Sequence, residues 1–174
     1  MNAELENLWN ELEQTKREFI ALLNAGAHID AHAPINGEWS KAQVVEHLLA
    51  SEGGTLGYIE KKSSGGWEQL EETGVEQETN GAAIVNRLNS NERYKAPEVL
   101  PQPTNEIPME ELLNRWTSLR ERWNVLLTSI ASNHNRKLVF RQPAAGMLNI
   151  LQTLAFMNAH LRHHFMQIER INKS

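Results

Sequence analysis

Four stretches of this chain repeat apolar residues at the period of an α-helix, and a long interval separates the second from the third. Leu5, Leu8, Trp9, Leu12, Phe19, Leu22 and Leu23 mark the first, which predicts a helix over 2–25 stopped by Gly26. The second is expected over 40–62. Its opening, Ser40-Lys41-Ala42-Gln43, has the form of a capping box: the hydroxyl accepts from a free backbone N–H and Gln43 reaches back. Gly53, Gly54 and Gly57 weaken this helix by roughly 1 kcal/mol each relative to alanine. Either it breaks there, or a neighbour or ligand comes close to its backbone. Leu112, Trp116, Leu119, Trp123, Leu126 and Ile130 predict a third helix over 108–131. Ile150, Leu154, Met157, Leu161, Ile168 and Ile171 predict a fourth over 146–171. Residues 63–107, with a short helix near 81–93, are too long a connection for a compact domain unless they do a job. The job that fits is a crossover that lets the second and third bundle helices run parallel. Leu138-Val139-Phe140 is too short to change the class. The expected fold is all-α, a four-helix bundle in one domain over 1–174.

Inside this frame, three histidines fall where they can meet. His160 and His164 lie four residues apart, one turn of helix. At 100° per residue they sit about 60° and about 20° from Met157, on the apolar face, while His163 falls about 120° away on the polar side. His47 lies at the inward edge of the second helix, roughly 10 Å from its start. With helices two and three parallel and short turns elsewhere, helix four is antiparallel to helix two. His160 and His164, roughly 10–17 Å from the end of helix four, then come to a similar depth at the same end of the bundle. A lone inward histidine is usually a hydrogen-bonded core residue. Three at one depth would need three separate polar partners, so a shared metal ion is the better reading. Three imidazole ligands leave one coordination position open, the pattern of a catalytic site. His28, Asp30 and His32, in the 27–39 loop, are candidates for its rim.

Composition narrows the partners. Seventeen basic against twenty-two acidic residues give a net charge of −5 over 174 residues, and no basic cluster stands out. That argues against nucleic acid or an anionic membrane. No stretch reaches the roughly 18 apolar residues of a membrane span. The polar, acidic N-terminal residues lack a signal-peptide core, so a cytoplasmic location is expected. There is no cysteine, so thiol chemistry by the protein itself is excluded. On the fourth helix Leu148, Met166 and Phe156 fall away from the core centre and form an expected apolar strip for a homodimer partner.

The motifs resemble a known family. Trp39-Ser40-Lys41-Ala42-Gln43-Val44-Val45-Glu46-His47-Leu48 resembles the second-helix signature of the DinB-like (DinB/YfiT) metal-binding four-helix bundles. Gln142-Pro143-Ala144-Ala145-Gly146-Met147-Leu148-Asn149, followed by His160, His164, Gln167 and Ile168, resembles the fourth-helix signature. The resemblance implies an up-down-down-up bundle, often dimeric, with a divalent metal held at the positions of His47, His160 and His164. It also implies a family that includes S-transferases using low-molecular-weight thiols, an isomerase that uses such a thiol, and members without assigned activity. One departure is Gln142-Pro143, where the family often has His-Pro; a contact near the site or the loop before helix four would differ.

The leading functional reading is a metal-dependent transferase, with zinc or nickel as the ion, passing a low-molecular-weight thiol to a small electrophile. The alternatives are a non-catalytic metal sensor or store, and a stress-related interaction module with an empty site. A fourth protein ligand would favour the sensor, and histidines paired to carboxylates would favour the module.

Overall fold

The computed structural model describes residues 1–34, 37–90 and 101–173. Helix α1 runs Ala3–Ala25, α2 Lys41–Ser63, α3 Val75–Leu88, α4 Met109–Ser129 and α5 Ile150–Asn172; strands β1 (Leu138–Gln142) and β2 (Gly146–Asn149) precede α5. The long bundle helices α1, α2 and α4 fall within two residues of their expected ends. Side-chain caps fix two of the starts. Asn2 Oδ1 accepts from Leu5 N at 3.2 Å, and Ser40 and Gln43 form the expected reciprocal box at 3.1 and 3.0 Å.

The helices bury their apolar stripes in one core, with Phe19, Leu48, Trp116, Trp123 and Leu154 fully enclosed. Along α2 and α4 the paired residue numbers rise together. Glu46 accepts from the backbone of Thr104 and Asn105, just before α4. Glu52 accepts from Trp116 and Arg120, and Glu60 from Arg122. Along α1 and α5 they also rise together: Glu11 with Asn158, Phe19 with Phe165, Leu22 with Asn172. Where α1 ends, the side-chain ends of Asn172 and Lys41 crowd Gly26. A Cβ there would lie 1.9 Å from Asn172 Oδ1, and Lys41 Nζ donates to the Gly26 carbonyl at 2.5 Å.

Three expectations need correction. First, the fourth bundle helix begins at Ile150 rather than 146. Gly146, at φ 78°, opens β2, which pairs antiparallel with β1 in a small hairpin. The helix then starts at a capping box: Asn149 Oδ1 accepts from Gln152 N at 2.9 Å and Gln152 Oε1 from Asn149 N at 3.0 Å. Gln142 sits at the hairpin turn, where its buried Oε1 accepts from Ala144 N and Ala145 N at 2.6 Å each. So the departure from the family's His-Pro serves the loop before the helix, through one side-chain acceptor.

Second, the crossover carries a helix longer and earlier than expected. α3 starts at Val75 and ends at Leu88; residues 91–93 of the expected helix lie outside the described residues. It packs on α5, where Gln152 Nε2 donates to the Gln77 carbonyl at 2.9 Å. The strand-like stretch before it also pairs with the approach to β1: Leu138 N donates to Glu71 O and Thr73 N to Arg136 O. α2, meanwhile, runs unbroken through Gly53, Gly54 and Gly57. Among the described residues, a Cβ at Gly54 or Gly57 would meet nothing within 4 Å, and one at Gly53 would only touch Leu119 at 3.9 Å. Neither a break nor a close approach by a described part of the chain explains these glycines.

Third, the apolar strip is covered within the chain. Leu148 is fully enclosed and Phe156 is buried, because the hairpin and α3 close over that side of α5; Met166 is half-buried. Leu148 and Phe156 are therefore not available to a second copy. Among the described residues no helix is long and apolar enough to cross a membrane.

Candidate metal centre

His47 comes from the second turn of α2, and His160 and His164 from successive turns of α5. The fold brings all three together. His160 Nε2 lies 3.2 Å from His47 Nε2 and 3.3 Å from His164 Nε2. One nitrogen of each ring falls within 4.8 Å of the others, and among the described residues this is the one such cluster of histidine, cysteine and carboxylate groups. His47 and His164 are buried, while His160 is half-buried.

Each ring is backed by a neighbour. Trp39 packs against His47 at 5.0 Å between centroids. Phe156 stacks parallel to His160 at 5.8 Å. His164 Nδ1 lies 2.9 Å from Gln167 Oε1. Burial pushes the His47 imidazole down to about 4. Burial, and secondarily the nearby His47, push His164 down to about 3, against its hydrogen bond to Gln167 Oε1. Burial and the two neighbouring rings hold His160 well below the ordinary histidine range. All three are neutral at pH 7, the form that ligates metal.

The nitrogens fit an ion better than they fit one another. A ring nitrogen carries either one proton or one lone pair. His160 Nε2 sits in both short contacts, so it cannot donate to one ring and accept from the other. His164 sharpens the conflict: its Nδ1 faces Gln167 Oε1, which can only accept, an arrangement that favours a proton on Nδ1 and a bare Nε2. His47 Nδ1 is buried without a hydrogen-bond partner among the described residues. Three Nε2 lone pairs turned on one cation remove the conflict at the centre, though not at His47 Nδ1, which lies on the far side of its ring. A tetrahedral site with bonds of about 2.0–2.1 Å places its ligand atoms about 3.3 Å apart, which is the spacing of His160 Nε2 from each of the other two. The set is all imidazole, with no carboxylate in the cluster, and suits zinc, nickel or copper.

The chain matches the DinB superfamily over residues 11–168. It belongs to that superfamily. No curated protein and no solved structure matches it.

The other expected residues fall elsewhere. His163 turns from the cluster, as expected, but toward α3 rather than solvent: it is half-buried, with Nδ1 3.1 Å from the Leu88 carbonyl. His28 is exposed. Asp30 Oδ1 accepts from His32 N at 2.9 Å, and His32 Nδ1 donates to the Asn105 carbonyl at 3.0 Å. Asn105, at φ 64°, binds Ser40, His32 and Glu46 at once. His32 thus joins a clasp between the 27–39 loop, the crossover end and the start of α2. Its hydrogen bonds run to Asp30 and Asn105 rather than to the three histidines.

Sequence reasoning placed Phe156 in a dimer strip and named Trp39 and Gln167 only within the family signatures, giving none of the three a role beside the histidines. Two of them carried a signal. Phe156 is four residues before His160 and Gln167 three after His164, so each shares a helix face with a candidate ligand. Trp39 lies in a loop, where spacing says nothing about direction.

Proposed function

We propose that this DinB superfamily protein binds one divalent metal ion through His47, His160 and His164 and uses it in a transfer reaction. The thiol would come from a low-molecular-weight co-substrate, and the acceptor would be a small electrophile. The observation that carries the reading is the convergence of three neutral Nε2 atoms at 3.2 and 3.3 Å with no acidic group among them. When bound, a divalent ion would supply Lewis acidity and lower the pKa of a thiol or water taken into its open position.

The chain's own residues do the rest. Three neutral imidazoles hold the site without cancelling the ion's charge, which favours an anionic fourth ligand. Trp39 and Phe156 flank the rings with apolar surface that keeps water from their backs. No cysteine is present, so any thiolate must arrive from solution. The reading also takes the bundle as up-down-down-up, supported by residue pairs that rise together along α2 with α4 and along α1 with α5. Its partners are small molecules of the cytoplasm; the net charge of −5 gives no support to nucleic acid or membrane.

The test is a panel of low-molecular-weight thiols with a chlorinated nitrobenzene, run with zinc- and nickel-loaded protein and with His160→Ala as control. A rate above the thiol-only background, lost in the variant, is expected. No excess rate for any pairing with the site fully loaded would leave a metal-binding protein without this activity.

A further inference from the structure

The two outer histidines of the cluster differ in what lies behind them. His47 Nδ1 has no hydrogen-bond partner among the described residues, whereas His164 Nδ1 has Gln167 Oε1 at 2.9 Å. Gln167 is three residues along the same helix, so its reach is set by helix geometry rather than by a loop. An amide oxygen accepts and cannot donate. It therefore requires the proton of a neutral His164 on Nδ1, and that leaves the Nε2 lone pair facing His160 and His47. In the opposite tautomer the proton would sit on Nε2 and point into the cluster, where it blocks ligation.

We infer that Gln167 is a positioning residue for the metal centre: it selects the His164 tautomer and holds the ring so that Nε2 is a ready ligand before any ion arrives. The inference rests on the metal reading of the cluster, and it makes a prediction about the metal-free protein as well. Partners of this kind, on the far nitrogen of a ligating histidine, typically change metal affinity about 10- to 100-fold. Amide orientation and ring tautomer are settled by the network they make, so the tautomer itself is the quantity to measure.

The experiment has two readouts. Long-range nitrogen–proton correlation spectra of metal-free wild-type protein at neutral pH should show His164 protonated on Nδ1 and bare on Nε2. In Gln167→Leu, which keeps bulk and removes the acceptor, that preference should be lost. Competition for zinc against a chromophoric chelator should show Gln167→Leu weaker than wild type by about 10- to 100-fold. Gln167→Glu, which keeps an acceptor, should bind zinc at least as tightly as wild type. Packing alone would not move the tautomer and would not be rescued by the glutamate. Wild-type His164 protonated on Nε2, or wild-type zinc affinity in Gln167→Leu, would overturn the inference. If wild-type protein takes up no zinc, the metal reading fails, and the tautomer measurement still decides the role of Gln167.

Discussion

Two clusters of buried polar side chains sit between the helices of this bundle, and they are built on opposite rules. In the first, Glu52 of α2 accepts from Trp116 Nε1 at 2.9 Å and from Arg120 Nε and Nη2 of α4 at 2.9 and 2.7 Å. Arg120 Nη1 also donates to Glu13 of α1 at 3.0 Å, and its guanidinium lies over the Trp9 and Trp116 rings. Acid meets base, and both carboxylate oxygens are used. In the second, three bases face each other with no acid among the described residues, and His160 Nε2 stands in both short contacts with a single proton or a single lone pair to offer. A satisfied polar cluster locks helices together; an unsatisfied one of the same burial is where a missing ligand belongs. Both clusters draw on α2, from residues five apart, which turn toward different neighbours.

The largest effect expected from breaking this contrast is on the closed cluster. Glu52→Ala leaves the Arg120 charge buried with only the half-exposed Glu13, beside Lys16, whose pKa burial and Arg120 already lower. The cost should be about 3–5 kcal/mol, read by urea unfolding, and any remaining folded protein should still bind zinc. The open cluster should behave in reverse. Zinc at about 100 times its Kd should stabilise wild type by about 2.7 kcal/mol. His160→Ala should erase that gain while keeping helix content, measured by thermal melts with and without metal.

Acid should separate the two clusters further. Folded-state values of about 4 for His47 and about 3 for His164 lie below the ordinary 6.5. Between those values the unfolded chain binds more protons than the folded one. Metal-free stability from these rings is therefore fully present above about 6.5 and lost as pH falls toward 3. Unfolding free energy of metal-free wild type should drop with pH across that window, and the slope should flatten in a variant with His47 and His164 replaced. The smallest effect concerns neither cluster. Gly54→Ala and Gly57→Ala, on the open side of α2, should each stabilise by about 0.4–1 kcal/mol in urea without touching zinc affinity.

The bundle helices were legible because their burial is one-sided. A stripe such as Leu112, Trp116, Leu119 and Trp123 admits one periodicity, and Ser40 with Gln43 marks a start that no strand would use. His160 and His164 were legible for the same reason, as two polar side chains on a stripe that is otherwise apolar. His47 was reached by a depth argument that depended on the crossover, and by the resemblance of the 39–48 segment to a family signature. The hairpin escaped because its residues are few and its pairing is non-local: nothing near Gly146 says that β1 lies beside it. α3 was misplaced because its buried apolar residues are only Ile84 and Leu88, with Gly81 against the Gln152 side chain, too sparse a stripe to fix its start. That omission also made Phe156 look exposed, when it backs His160. The Asn105 clasp was out of reach altogether, since four hydrogen-bonding groups of one loop residue leave no periodic trace.

The central claim is that the open cluster is a metal site. Elemental analysis of untagged protein, dialysed against zinc and then freed of excess, tests it most directly. Wild type should hold one zinc per chain, and His160→Ala, folded by circular dichroism, should hold none. Equal zinc in the two proteins, or none in wild type, would contradict the account.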